Sequence, residues 1–479
     1  MIFNLIACVD SNYGIGKNNN IPWKLLTDLK YFKDITTITK DDGSKPNVVI
    51  MGNNTYNSIP DNYKPLKGRI NVILSKSMKP TENITTSPIY FNDIVKLFLY
   101  LDSIKTNINE VFIIGGKQIY ELFLEYKLIN KVYMTVIKNV SFNCDTFFEF
   151  NKYKKQFELE SSFLDSDIDK LTDNGHILSF ETYKYINKEE NKFIKTVNKI
   201  LNKGVYNLDR SQVGTLSVFG KSFTYDIRNY RIPLYTHRKV FLRGIIEELL
   251  FFVSGKTDTK ILEEKKVNIW KGHTSREFLD SRGLTNYKEG SYGPAYGFQL
   301  RNWGAEFGGD DKCYKGCGFD QLEYVINLIK TEPTSRRILF SYWNPDVLDK
   351  VPLPSCHLLY QFHVNVDTKE LSCSFYQRSN DFTLAGVYNV CSAATLVFMI
   401  CHLTGYKPGK IIHNIGDVHI YMNQLEVVKE MIQNKPFNFP LLLINDPNNE
   451  IKKIEDFTYD HFKLLFYRSH KTYKIPMSV

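Results

Sequence analysis

Val111-Phe112-Ile113-Ile114-Gly115-Gly116-Lys117 reads as a β-strand that stops at two glycines and turns directly into a helix. Other β-rich runs surround it: Val48–Met51, Asn71–Leu74 and Lys131–Ile137, each bounded by Gly, Pro, Asn or Ser. The first ten residues, MIFNLIACVD, read as a further strand. Helical patterns lie between several of these runs, so residues 1–185 are expected to form an α/β unit with a mainly parallel sheet and flanking helices. A strand, two glycines and a helix start make a place for a phosphate, because backbone N–H groups can approach it closely. Gly115-Gly116 is not the full Gly-x-Gly-x-x-Gly and carries little alone. Met51-Gly52-Asn53-Asn54-Thr55 is a second turn of the same kind.

The polar run Asn187-Lys188-Glu189-Glu190-Asn191-Lys192 breaks this pattern. A helix follows, with Phe193, Val197, Ile200 and Leu201 on one face and Gly204 as its stop. The expected organisation is a first unit over 1–185, a short linker over 186–190 and a second unit over 191–479.

The chain has 479 residues, 43% hydrophobic and 24% charged, which excludes a disordered or fibrous protein. Its formal charge of +9 is spread along the chain and suits anionic ligands without indicating nucleic acid. The apolar stretch Cys391–Cys401 is too short to span a membrane and reads as a core helix. No signal-peptide pattern opens the sequence. Eight irregularly spaced cysteines do not form a disulfide framework, and Cys313 and Cys317 lack a second pair at ligand spacing, so no metal is expected. These features point to a reducing, cytoplasmic compartment with no membrane partner.

Two carboxylates and one thiol stand out. At 100° per residue Asp28 shares a face with Leu25 and Phe32. A carboxylate against apolar neighbours has a raised pKa and suits an amidine-like ring edge. The pattern alone favours the plainer reading of an acid in a first helical turn. Glu248 lies at the edge of the apolar face of Arg243–Val253, while Glu247 points away from it; by pattern alone Glu248 is more often a solvated helix residue. Cys356 sits in Pro354-Ser355-Cys356-His357, with Arg336 and Arg337 before it and Gln377-Arg378-Ser379-Asn380-Asp381 after it. Arginines can turn a thiol into a nucleophilic thiolate and bind a phosphate monoester; the alternative is an inert buried thiol.

The first unit resembles dihydrofolate reductase over nearly its whole length. The matching pieces include Gly14-Ile15-Gly16, Ile21-Pro22-Trp23, Asp28-Leu29, Val49-Ile50-Met51-Gly52, Gly68-Arg69, Val72-Ile73-Leu74-Ser75, Ile113-Ile114-Gly115-Gly116 and Tyr133-Met134-Thr135, in family order. The resemblance implies that Asp28 holds the pterin and supports its protonation, with Thr135 hydrogen-bonded behind it. It implies that Cys8, Phe32 and Ile59 flank dihydrofolate and that Arg69 clamps its α-carboxylate. It also implies an NADPH site. Gly115, Gly116, Lys117, Gln118 and Ile119 would take the pyrophosphate; Ala7, Ile15 and Gly16 would lie by the nicotinamide. Asn53, Asn54, Thr55, Leu74, Ser75 and Lys76 would take the remainder. Asn53 replaces the family's basic residue at the 2′-phosphate, which leaves Lys76 to carry that contact.

The second unit resembles thymidylate synthase over about 285 residues, an α+β fold that dimerises. The matching pieces include Asp209-Arg210, Glu248-Leu249-Leu250, Ile269-Trp270, Tyr296-Gly297-Phe298-Gln299, Ser335-Arg336-Arg337-Ile338, Pro354-Ser355-Cys356-His357, Gln377-Arg378-Ser379, and Gly416-Asp417-Val418-His419-Ile420-Tyr421. The resemblance implies that Cys356 attacks C6 of dUMP, that Glu248 organises proton transfer and that Tyr296 assists removal of the C5 proton. It implies that Arg210, Arg378 and Ser379 bind the phosphate together with Arg336 and Arg337 of a second copy. His357, Gln377, Asn380, Asp381, Asn389, His419 and Tyr421 would complete the dUMP site. Trp270, Asp381 and Val479 would meet 5,10-methylenetetrahydrofolate. Departures from the family pattern are Ser211-Gln212 after Arg210, Ala385 and Tyr388 before Asn389, and Asn380 where Cys is common. Both units in one chain, reductase first, resemble the bifunctional dihydrofolate reductase–thymidylate synthase family of protozoa and plants, and the Lys-, Asn- and Ile-rich wording leans toward the protozoan form. A binding protein with a decayed reductase half is the alternative; intact Trp23, Asp28 and Arg69 argue against it.

Overall fold

The computed structural model describes residues 1–39, 43–81, 87–138, 140–163, 172–208 and 212–477. The chain divides into two compact units, and the division falls between Lys188 and Glu189. The helix Lys188–Lys203 therefore begins inside the stretch read as linker. Two short later segments, Phe437–Phe439 and Leu465–Arg468, belong to the first unit.

The first unit is built on a nine-stranded sheet. Phe3–Val9 lies at its centre, parallel to Val111–Gly115 on one side and to Ile129–Lys138 on the other. Asn47–Gly52, Arg69–Leu74 and Ile89–Phe91 continue in parallel beyond Val111–Gly115. The other edge turns antiparallel through His176–Tyr185, which pairs with Ile129–Lys138, Phe157–Phe163 and Thr172–Asp173. The central strands are continuous apolar runs because both of their faces are covered. Val48, Val49, Ile50, Val111 and Ile113 are fully buried. In sheets of this kind ligands bind beyond the carboxyl ends of the strands, where neighbouring connections diverge. Gly52, Leu74 and Gly115 mark that edge here. The later segments pack at the far side of the same core: the Phe466 ring meets Phe3 and Phe98 edge-on, with centroids at 4.8 and 5.3 Å.

The second unit carries a six-stranded sheet in the order Val205–Asn207, Thr215–Asp226, Lys407–Tyr421, Glu370–Asp381, His357–Asn365, Leu339–Ser341. All neighbours are antiparallel except Glu370–Asp381 and Lys407–Tyr421, which run parallel. The helix Gly386–Thr404 packs on that parallel pair and against the helix Leu242–Val253. It is long and apolar enough to cross a membrane, yet 72% of its apolar window is buried in the fold, so it serves as the core helix its sequence suggested. Helix Lys188–Lys203 buries Phe193, Val197 and Ile200 as the periodicity requires. Glu247 departs from expectation. It is buried rather than turned to water, because Lys265 reaches it at 2.6 Å and neutralises it.

Candidate active sites

In the second unit the sheet register assembles a cleft. His357 pairs with Gln377, and Asp381 pairs with His419 on the next strand. Cys356, Arg378, Asp381 and His419 thus meet at neighbouring strand ends, around a cavity of about 860 Å³. Glu248 and Trp270 close one wall, and Tyr296 and Asn389 contribute to the others.

Cys356 is held from both sides. Its backbone N–H donates to Tyr296 Oη at 2.8 Å. The Arg378 guanidinium donates to the carbonyls of Ser355 (3.0 Å) and Pro354 (2.9 Å), and Nη2 lies 3.8 Å from Cys356 Sγ. A fixed cation beside a thiol favours the thiolate. Tyr296 is buried, stacks on Phe252 at 4.7 Å, and keeps its phenol protonated because burial raises its pKa well above the usual value.

Glu248 accepts a hydrogen bond from Trp270 Nε1 at 2.8 Å. Burial pushes its carboxyl up to about 7, with the Trp270 hydrogen bond working in the opposite direction. It can therefore hold or release a proton at neutral pH. His357 is the reverse case: burial lowers it to about 4, so its ring is neutral, with Nδ1 2.8 Å from Tyr360 Oη.

A buried amide network supports Asn389. Its Oδ1 accepts from Gln377 Nε2 and Asn380 Nδ2, each at 3.0 Å. Asn380 Nδ2 also donates to Gln377 Oε1 at 2.7 Å, and His413 Nε2 lies 2.9 Å from the same oxygen. With its oxygen engaged, Asn389 has its NH₂ to offer a ligand. Asn380 itself is buried behind this network rather than on the cleft wall, unlike its neighbours Ser379 and Asp381. Asp381 accepts from Gln424 Nε2 (2.8 Å) and Leu384 N (3.2 Å). His419 Nδ1 lies 2.7 Å from Asp417, and Tyr421 meets the His419 ring edge-on.

Arg336 and Arg337 are exposed and do not line the cleft of their own chain. Arg210 and Val479 lie outside the described residues. Sequence reasoning passed over Tyr292, Arg282, Met477 and Gln424. Tyr292 stacks parallel to Tyr296 at 5.9 Å; the i, i+4 spacing of the two tyrosines was the available signal.

The first unit gathers its own group. Cys8 pairs with Thr135, and Ala7 with Met134, on adjacent parallel strands. Asp28 sits in the first turn of the helix Leu26–Thr37 and acts electrostatically on Cys8. Burial raises the Asp28 carboxyl pKa; Thr135 and Cys8 lower it by hydrogen bonding, and Asp173 raises it by charge. Thr135 Oγ1 is buried and acts on the Asp28 carboxyl, whose pKa it lowers. Phe32 follows one turn on, with the Arg69 guanidinium 5.8 Å from its ring centroid. Arg69 is fixed by Thr36 Oγ1 at 2.7 Å, and Ile59 packs on the neighbouring apolar cluster.

The two glycine turns meet. A Cβ added to Gly52 would lie 3.3 Å from Ile119, and one on Gly116 would lie 3.2 Å from Thr55 Oγ1. Gly115 adopts φ +124° beside Tyr120, where a side chain would be strained. The glycines let the two turns close tightly on Ile119, Tyr120 and Thr55 at the start of the helix Lys117–Glu125. Lys117 is drawn to Glu149 at 3.1 Å, and Gln118 is exposed. Gly52 is in register with Leu74, so Asn53 and Ser75-Lys76 follow at the same sheet edge. Asn54 donates to Asn19 at 3.3 Å, just beyond the Gly14–Gly16 strand. That strand is anchored by Asp10, which accepts from Gly14 N at 2.7 Å.

Among the described residues no group of three metal-ligating side chains comes together. Cys313 and Cys317 are exposed.

Residues 2–184 match the family model of dihydrofolate reductase, and residues 191–479 match that of thymidylate synthase. Full-length similarity extends to the bifunctional dihydrofolate reductase-thymidylate synthase of Leishmania major, 36% identical over 504 residues that cover 100% of this chain and 95% of that protein. The proteins of the same description from Glycine max and Daucus carota are each 38% identical over 100% of this chain, covering 95% and 96% of their own lengths.

Proposed function

Because the chain belongs to the bifunctional dihydrofolate reductase–thymidylate synthase family, we propose that its two clefts divide one cycle between named residues. Its domains methylate dUMP to dTMP with methylenetetrahydrofolate and reduce the resulting dihydrofolate with NADPH. Cys356 Sγ adds to C6 of dUMP as the thiolate, helped by Arg378 and aimed by the Tyr296 anchor on its backbone. The electron pair released at C5 takes the folate methylene. Glu248 manages water and protons near neutral pH, and Tyr296 assists loss of the C5 proton. The bond between the methylene and the folate nitrogen breaks, hydride from the folate completes the methyl group, the C6–Sγ bond breaks, and dTMP and dihydrofolate leave. Arg378, Ser379 and Arg210 bind the phosphate. The Asn389 amide, positioned by Gln377 and Asn380, reads the uracil, while His419 and Tyr421 hold the ribose. Trp270 and Asp381 face the folate.

In the reductase half Asp28 binds the amino edge of the pterin and supports its protonation, with Thr135 behind it. Phe32 and Ile59 sandwich the ring system, and Arg69 takes the glutamate carboxylate. The glycine turns suit a pyrophosphate because they bring bare backbone N–H groups to the start of the Lys117–Glu125 helix. The residues that would hold NADPH are these glycines, Thr55 and the start of the Lys117–Glu125 helix, with Lys76 toward the 2′-phosphate. When bound, NADPH supplies the hydride.

A symmetric homodimer completes the synthase site. Exposed Leu339, Leu359, Tyr376 and Phe219 spread apolar surface over the sheet of the second unit. Arg336 and Arg337, next to Leu339, stand outside their own cleft, where a partner could use them. None of the eight cysteines is in a disulfide, which supports a reducing, cytoplasmic setting.

The observation that carries this reading is the Arg378 fork locked on both carbonyls before Cys356. Mixing Cys356→Ala with Arg336→Ala chains tests it together with the dimer. The mixture is expected to regain synthase activity that neither variant has alone; no recovery would count against shared sites.

A further inference from the structure

Gln424 is fully buried at the end of the short turn Met422–Gln424, directly after the strand that carries His419 and Tyr421. Its amide joins three parts of the second unit that are distant in sequence. Nε2 donates to Asp381 Oδ2 at 2.8 Å and to the Pro476 carbonyl at 2.9 Å. Oε1 accepts from Thr383 Oγ1 at 2.9 Å. The two acceptors on the nitrogen side, a carboxylate and a carbonyl, fix the orientation of the amide, since an amide oxygen could donate to neither. Asp381 lines the cleft, and so does Met477, the residue after Pro476. One buried amide thus grips a cleft carboxylate and the chain segment that covers the same cleft.

We propose that Gln424 is a positioning residue of the synthase reaction: it aims Asp381 at the folate and fastens the C-terminal segment over it. This rests on the synthase reading of the cleft. Its hydrogen bonds go to Thr383, Asp381 and Pro476, and Asp381 faces the folate in the proposed reaction, so its action falls on the folate rather than on dUMP. A carboxylate at this position would face Asp381 with like charge and lose the donor to Pro476. A thioether of similar length would fill the space and make none of the three hydrogen bonds.

The test uses the full-length protein with Gln424→Met and Gln424→Glu. The expected result is a rise in KM for methylenetetrahydrofolate of about tenfold or more, equal to about 1.4 kcal/mol, with KM for dUMP within about twofold and reductase turnover unchanged. Thr383→Val, which removes only the hydroxyl donor to Oε1, is expected to move the same KM less. Removing residues 475–479 is expected to raise the folate KM and to reduce the further effect of Gln424→Met. An unchanged folate KM in Gln424→Met, or an equal rise for both substrates, overturns the positioning role. If Gln424→Met does not fold, an unchanged folate KM in both Thr383→Val and the truncation overturns it instead. Failure of the wild-type protein to make dTMP would overturn the synthase reading itself.

Discussion

Arg378 Nη2 lies 3.8 Å from Cys356 Sγ, and the same guanidinium donates to the carbonyls of Pro354 and Ser355. Its ring-facing side lies over Trp343, 5.8 Å from the centroid. The fork is therefore committed to the loop that presents the thiol. Lysine carries the charge but has no planar fork with which to bridge the two carbonyls. Arg378→Lys is expected to lower synthase kcat/KM about 100-fold and to slow alkylation of Cys356 by iodoacetamide, measured by mass spectrometry of the labelled peptide. Alkylation at the wild-type rate would show that Arg378 does not set thiol reactivity.

Glu248 titrates near 7 because burial opposes its charge, while the Trp270 N–H favours it. Removing that donor stabilises the protonated acid, so the pKa must rise. In a Trp270→Phe protein the limb of the synthase pH profile that reports Glu248 is expected near pH 8, roughly one unit above its wild-type position. A limb that stays in place would assign it to another group.

Burial sets the raised pKa of the reductase carboxylate, and Asp173 adds to it. Its Oδ2 accepts from Thr27 N at 2.6 Å, the residue before Asp28, and its negative charge raises the Asp28 pKa. Cys8 and Thr135 act in the opposite direction from the facing strands. Asp173→Asn keeps an acceptor for Thr27 but removes the charge, so Asp28 loses its proton at lower pH. The alkaline fall of reductase activity is expected to move to lower pH, read from NADPH oxidation across a pH series.

Phe466 comes from far along the chain yet packs on Phe3 and Phe98 in the first unit. Truncating a half-buried aromatic in edge-on contact costs about 2 kcal/mol. Phe466→Ala is expected to lower the urea concentration at which reductase activity is lost, with dihydrofolate turnover in buffer unchanged.

Val48–Met51 and Val111–Ile114 were legible in sequence because each is covered on both faces and reads as an unbroken apolar run, whereas the parallel strand Ile89–Phe91 is only three residues long and was not singled out. The antiparallel edge was not singled out, since Phe157–Phe163 mixes Glu and Ser with its apolar residues. Cys356, Glu248 and Asp28 were visible as residues, but their chemistry came from neighbours that no local pattern announces. Periodicity turned Glu247 outward because it could not see Lys265. Gln424 was silent for the same reason: its partners lie 43 and 52 positions away. The segments Phe437–Phe439 and Leu465–Arg468 gave no sign that they complete the first unit.

One chain thus runs two chemistries on two separate sets of residues. The most direct measurement compares Cys356→Ala with Asp28→Asn, each assayed for dTMP formation from dUMP and methylenetetrahydrofolate and for NADPH oxidation with dihydrofolate. Cys356→Ala is expected to lose dTMP formation and keep dihydrofolate reduction, and Asp28→Asn to do the reverse. Loss of both activities in either variant, or of neither, would contradict that separation.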